Sequence, residues 1–175
     1  QPKLVEEFLR RGFPKEYLNT IGNESGGFMR PTEAQPDNVG FSSLWTFKEI
    51  MKHYGYDDIP LDNCIEWMYR CTAPGALDMN RQRDYVMRDG LLGLAWGLSC
   101  INPGIISDAG NPYYFSNWGG SGFCESIPEL NPKPSYVGFA VMTQMLDGAT
   151  FDRAIRPTNS TSLYCVGFID RNKEN

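Results

Sequence analysis

Helix-patterned and strand-patterned segments alternate along this chain, and the alternation limits its fold more than any other feature. Leu4, Val5, Phe8 and Leu9 fall on one face of a helix over 2–11, with Gly12 as its stop. "EYLNTIG" (16–22) reads as a short strand, and the glycine- and proline-punctuated stretch after it as a loop. A second helix is predicted over 41–54, where Leu44, Phe47, Ile50, Met51 and Tyr54 keep three-and-four spacing and Gly55 ends it. "CIEWMY" (64–69) follows as a strand. Asp78 is placed to cap a long helix, roughly 79–98, in which Gly90, Gly93 and Gly97 lie close to one side and suit close packing against a sheet. "SCINPGII" (99–106) is the next strand, and "DAGNPYYFSNWGGSGF" (108–123) a long aromatic and glycine-rich loop. Pro132 and Pro134 introduce a helix running to about Leu146. A hairpin pattern closes the chain, from "FDRAI" (151–155) to "SLYCVGFI" (162–169). Parallel strands need helix-length crossovers, so strands separated by helices predict an α/β architecture with a parallel sheet.

The totals exclude several classes. With 175 residues, 41% of them apolar, the chain can build one real core and is not disordered. No apolar run approaches the roughly 20 residues of a membrane span. A net charge of −5 argues against nucleic acid and anionic membranes as partners. Cysteines stand at 64, 71, 100, 124 and 165 without a CxxC pair, and His53 is the one histidine, so neither a metal site nor a cofactor is expected. The odd count leaves at least one thiol unpaired within the chain. Two sequons, Asn23-Glu24-Ser25 and Asn159-Ser160-Thr161, make Asn23 and Asn159 candidate glycan acceptors and suggest an extracellular or secreted setting. The start, Gln1-Pro2, reads as a processed or cut end.

Glu66 is the residue that asks for a function. It stands inside "DNCIEWMYR" (62–70), an apolar strand pattern, where a carboxylate costs several kcal/mol unless it is paired or used. Arg70 and Arg88 are the candidate partners if it is merely salt-bridged. The aromatic content, 13%, suits sugar faces as well as an ordinary core.

From Gly55 to Gly104 the chain reads "GYDDIPLDNCIEWMYRCTAPGALDMNRQRDYVMRDGLLGLAWGLSCINPG", with Gln82, Tyr85-Val86 and Arg88 on the long helix. Tyr113-Tyr114, Trp118-Gly119-Gly120, the run Pro132 to Tyr136, and Leu146-Asp147-Gly148-Ala149 follow in that order. This succession resembles the C-terminal part, strands six to eight, of the (β/α)8-barrel retaining glycoside hydrolases whose two catalytic acids are Glu, running into an appended β-domain. The resemblance implies a partial (β/α)8 (TIM) barrel of about three C-terminal β/α units followed by a C-terminal β-hairpin. Residues 1–149 would be the barrel part, and 150–175 the hairpin and a polar tail. Glu66 would be the nucleophile at the end of strand seven, with a second acid about 5–5.5 Å away. Trp118 would stack under the sugar, beside Tyr113 and Tyr114.

The chain departs from that pattern in two ways. A full barrel takes about 250 residues and rarely fewer than about 200. Completing the sheet therefore calls for a second polypeptide segment or self-assembly. The acid/base of the family follows an Asn at the end of strand four, whereas Asn23-Glu24 stands one β/α unit before Glu66 rather than three. At the end of strand six, where the family carries an aromatic or His, residues 19–23 have neither. Two functions follow: a fragment or subunit of a glycoside hydrolase-like protein acting on or binding carbohydrate, or a catalytically inactive structural or carbohydrate-binding component of an extracellular assembly. An unrelated three-unit α/β domain ranks third.

Overall fold

The computed structural model describes residues 2–25, 41–65, 78–103, 106–108, 120, 122–155 and 165–170. Within them, α1 (Pro2–Arg10), β1 (Ile21–Ser25), α2 (Phe41–His53), β2 (Leu61–Ile65), α3 (Met79–Ala95), β3 (Cys100–Pro103), α4 (Pro134–Met145), β4 (Ala149–Ile155) and β5 (Cys165–Asp170) follow in chain order. The first three strands form a parallel sheet in the order β1-β2-β3, as helix-length crossovers require. Its register sets Gly22 beside Asp62 and Asn23 beside Asn63, then Asp62 beside Cys100 and Cys64 beside Asn102. β4 and β5 pair antiparallel, with an irregularity between Phe151 and Arg153, and lie against α3.

Period-two alternation gives this sheet two unlike faces. Ile21 and Leu61 join Leu9, Phe47, Met51, Tyr56, Leu92 and Leu98 in the main core, with Val5, Ile50 and Ile101 packed against it. The helices supply the bulk of that core through Leu9 on α1 and Phe47 on α2, the latter 1% exposed. The Tyr56 hydroxyl donates to the Phe13 carbonyl at 2.6 Å and so ties the approach to β2 to the approach to β1. On the opposite face, Gly22, Cys100 and Asn102 are exposed and Asp62 is half-buried.

Capping explains where α3 begins and ends. The Asp78 carboxylate accepts from the backbone N–H groups of Asn80 and Arg81, each at 2.9 Å. At the other end Leu98 N–H donates to Gly93 O at 3.0 Å and Gly97 N–H to Leu94 O at 3.0 Å, with Gly97 at φ 81°. That reciprocal pattern stops the helix at Ala95, short of the expected 98, and buries Leu98 as it closes. The glycine strip packs differently from the expectation. A Cβ on Gly90 would stand 2.5 Å from Met142 Cε, so Gly90 admits α4, not the sheet.

Two strands start elsewhere than the pattern suggests. Lys15–Tyr17 is a single 3-10 turn after Pro14, and β1 begins only at Ile21. β2 begins at Leu61, ahead of the expected Cys64, and positions 66–69 of "CIEWMY" lie outside the described residues. No helix among the described residues is long and apolar enough to cross a membrane.

Candidate functional site at the carboxyl ends of the parallel strands

Sites in parallel α/β sheets gather where the strands end, because loops of independent sequence converge there on a rigid base. In this sheet the central strand is β2, and its open face is polar. The Ser99 hydroxyl donates to Asp62 Oδ1 at 2.6 Å, and Cys100 Sγ lies 3.3 Å from Asn102 Oδ1. Behind that face the side chain of Asn63 is buried, at 1% exposure. β2 ends at Ile65, so Glu66 is the next residue of the chain.

The connection from β3 to α4 folds back on itself at this end of the molecule. Asp108 N–H donates to Cys124 O at 2.9 Å, Cys124 N–H to Ile106 O at 2.8 Å, and Lys133 N–H to Phe123 O at 2.8 Å. Three short stretches are thereby laid side by side. Gly122 is required there, since a Cβ would fall 2.3 Å from the Ser107 carbonyl carbon. The ammonium of Lys133 donates to Asp108 Oδ1 and, at 2.9 Å, to the Gly120 carbonyl. Gly120 O also accepts from Gln82 Nε2 of α3 at 3.0 Å, and Asp108 Oδ1 from Gly122 N–H at 3.0 Å. The Lys133 side chain is 1% exposed and that of Asp108 18%. Burial pushes the Asp108 carboxyl above the usual carboxylate range, outweighing the downward pull of Lys133 and of the Gly122 N–H.

Of the residues singled out in the sequence, Glu66, Tyr113, Tyr114, Trp118 and Asn159 lie outside the described residues, as does Arg70. Asn23 lies within β1, in register with Asn63. The Arg88 guanidinium sits over the Tyr85 ring, 5.8 Å from its centroid. The pair of Lys133 and Asp108 was not foreseen. Its sequence signal is faint but present: Lys133 is the sole basic residue between Arg88 and Arg153, and it is flanked by prolines. No group of His, Cys, Asp and Glu that could hold a metal ion occurs among the described residues. A hollow of about 510 Å³, lined among others by Lys48, Lys52, Asp57, Asp58, Pro60 and Ser99, opens at the other end of the sheet, where the strands begin. Ligands of open parallel α/β sheets bind at the opposite end, outside the carboxyl ends of the strands.

The architecture, a parallel three-stranded sheet with helical crossovers, is similar in fold to part of one solved glycoside hydrolase. It superposes on a family 39 glycoside hydrolase from the gut symbiont Bacteroides cellulosilyticus WH2 with a TM-score of 0.65 and 16% sequence identity. The match covers 95% of this chain and 34% of that one, so the chain spans about a third of the enzyme's length. At this identity the likeness is one of fold. No protein-family model matches the sequence, and no curated protein does.

Proposed function

We propose that the chain is a segment of a glycoside hydrolase-like protein that acts on or binds carbohydrate, with Glu66 as the retaining nucleophile. One observation carries this reading: the central strand of a chain-ordered parallel sheet, with a polar open face, runs directly into Glu66. Alternation along β2 sets Leu61 toward the helices and Asp62 toward the open side. Continued past Ile65, the same alternation would bring Glu66 to the side of Asp62. There its carboxylate would attack the anomeric carbon and form a glycosyl-enzyme, which water then releases. The acid that protonates the leaving oxygen comes from a further polypeptide segment or copy, which also completes the sheet as a (β/α)8 barrel. Tyr113, Tyr114 and Trp118 supply stacking surfaces for the sugar. Asn23 and Asn159 are glycan acceptors in an extracellular setting.

Trapping tests the reading. The protein as isolated, with whatever chains accompany it, is incubated with a panel of 2-deoxy-2-fluoroglycosyl fluorides and digested. A fluoroglycosyl mass on the peptide that contains Glu66 is the expected result. Glu66→Gln should abolish that adduct and lower turnover on the order of 10³-fold or more. Wild-type turnover by the variant would sink the assignment. Residues 19–23 favour a second reading, a catalytically inactive carbohydrate-binding or structural component, because no aromatic or His stands among them to support a nucleophile. That reading predicts sugar binding without any adduct.

A further inference from the structure

The β3–α4 connection carries a compact loop, residues 124–132, that is held shut at its base. Cys124 and Pro132 pair antiparallel. Glu125 N–H donates to Asn131 O at 2.9 Å, and the Asn131 side-chain amide donates to Glu125 Oε2 at 2.8 Å. Leu130 N–H donates to Ser126 O at 3.2 Å and closes a single helical turn. At the base, Phe123 packs against Val86 of α3, and its ring lies 5.2 Å from that of Phe139 of α4. This braced turn presents apolar side chains to water: Ile127 is 76% exposed and Leu130 47%. Residues three apart on one helical turn are neighbours, so the two form one patch.

Stability does not account for this arrangement. Single exposed apolar residues are ordinary, but here the backbone is strained as well. Leu130 has φ 50°, and among the described residues it is the one non-glycine at positive φ. Glycine, and at times asparagine, takes that conformation without the cost a leucine bears. Strain of this kind persists where the surroundings fix it, and it points to function. Charge gives the turn a sign. Glu129 is exposed, and no ion pair engages it among the described residues. Between Arg88 and Arg153 the chain has six acidic residues and a single basic one, Lys133, whose side chain is 1% exposed. We propose that the turn 126–130 docks a partner protein that offers an apolar socket with a basic rim. Ile127 and Leu130 fill the socket, and Glu129 faces the rim. A turn already closed in the free chain loses little freedom on binding, and a charge at the edge steers the approach and selects the partner. A second copy of this chain, of net charge −5, is repelled by the same carboxylates, as is an anionic lipid surface. This docking role involves no sugar contact and is independent of the glycosidase reading.

The test uses the protein as isolated from its source, with whatever chains accompany it. Oxidation by hydroxyl radicals is read at Ile127 and Leu130, and the native mass of the same sample identifies what covers them. The expected result is oxidation at both residues about tenfold slower than in the urea-unfolded protein, in a complex that contains a different polypeptide. Oxidation at the unfolded rate would overturn the proposal, because the patch would then face water. A protected patch in material that holds only copies of this chain, or only lipid, would overturn it too. Charge is tested by Glu129→Lys, which should restore oxidation at Ile127 and Leu130. Met142, buried against Gly90, should stay protected in that variant, which separates undocking from unfolding. Raised salt should loosen the wild type in the same sense without any substitution. Protection indifferent to both salt and Glu129→Lys would refute the basic rim, and with it the class of partner proposed.

Discussion

Asp108 stands under opposed influences, and their balance sets a sign that can be measured. Burial and the nearby Glu125 raise its carboxyl, while Lys133 and the Gly122 N–H lower it, and burial is the largest of these. A carboxyl raised in the folded state binds its proton more readily there than in the unfolded chain. Its contribution to stability therefore grows as pH falls toward the ordinary value near 3.8, and is lost as pH rises through the raised value. Glu7 and Asp58 act in the other direction, because Arg10 and Lys15 hold their carboxyls low. Glu7 is partly exposed and Asp58 exposed, so solvent screens both. The melting temperature of Asp108→Asn relative to wild type should therefore rise as pH is raised from the ordinary carboxylate value near 3.8. The opposite trend would mean that attraction to Lys133 outweighs burial. The sequence announces little of this. Lys133 and Asp108 stand 25 positions apart, in stretches read as a helix start and a loop, and burial of a lysine is a tertiary event that no local pattern encodes.

The order of elements was legible, and the reasons are local. α1 and α2 carry apolar residues at helical spacing, and Asp78 marks the start of α3 by chemistry that depends on neighbours within a turn, whereas Gly97, read as part of a packing strip inside the helix, is where it closes. The strands were read less well. Leu61, Asp62 and Asn63 look like a linker because Asp and Asn favour turns. Yet Leu61 and Asn63 are both buried, and Asp62 is held by Ser99 across the sheet. The 3-10 turn at Lys15–Tyr17 mimics a strand because Tyr17 and Leu18 are β-favouring only on paper, and Tyr17 is exposed. Glu66 was singled out by its anomaly, a charge within an apolar run, and lies outside the described residues. The same element scale carries a stability expectation. Asp78→Ala removes the acceptor for two backbone donors at the start of α3 and should cost about 1 kcal/mol. Urea denaturation measures it, and Asp78→Ser, which keeps an acceptor, should recover most of the loss. An equal loss in both variants would mean that the cap is not what anchors the helix start.

For the molecule as a whole, the open face and the flanks decide how the chain behaves by itself. All-parallel sheets are normally covered on both sides. Here α1, α2 and α3 contribute to the core on one side, while Gly22, Cys100 and Asn102 are exposed on the other. Among the described strands β1 and β3 each pair with β2 alone, which leaves one edge of each without a described neighbour. The flanking helices carry apolar residues outward as well: Leu4 and Phe8 on α1, and Val137, Val141 and Met145 on α4, all exposed. On the reading proposed above, these two helix faces and two strand edges are the surfaces against which further β/α units would pack. The 175-residue chain expressed alone should therefore sediment above its 19.8 kDa chain mass at micromolar concentration. The effect should strengthen with added salt, which screens the repulsion between copies of net charge −5. Substituting Val141 and Met145 by Lys should return it toward the monomer if the α4 face drives association, and leave it associated if the strand edges do. A wild-type chain that stays monomeric in salt would show that water is tolerated on the open face. The case that further β/α units must cover that face would then lose its physical basis.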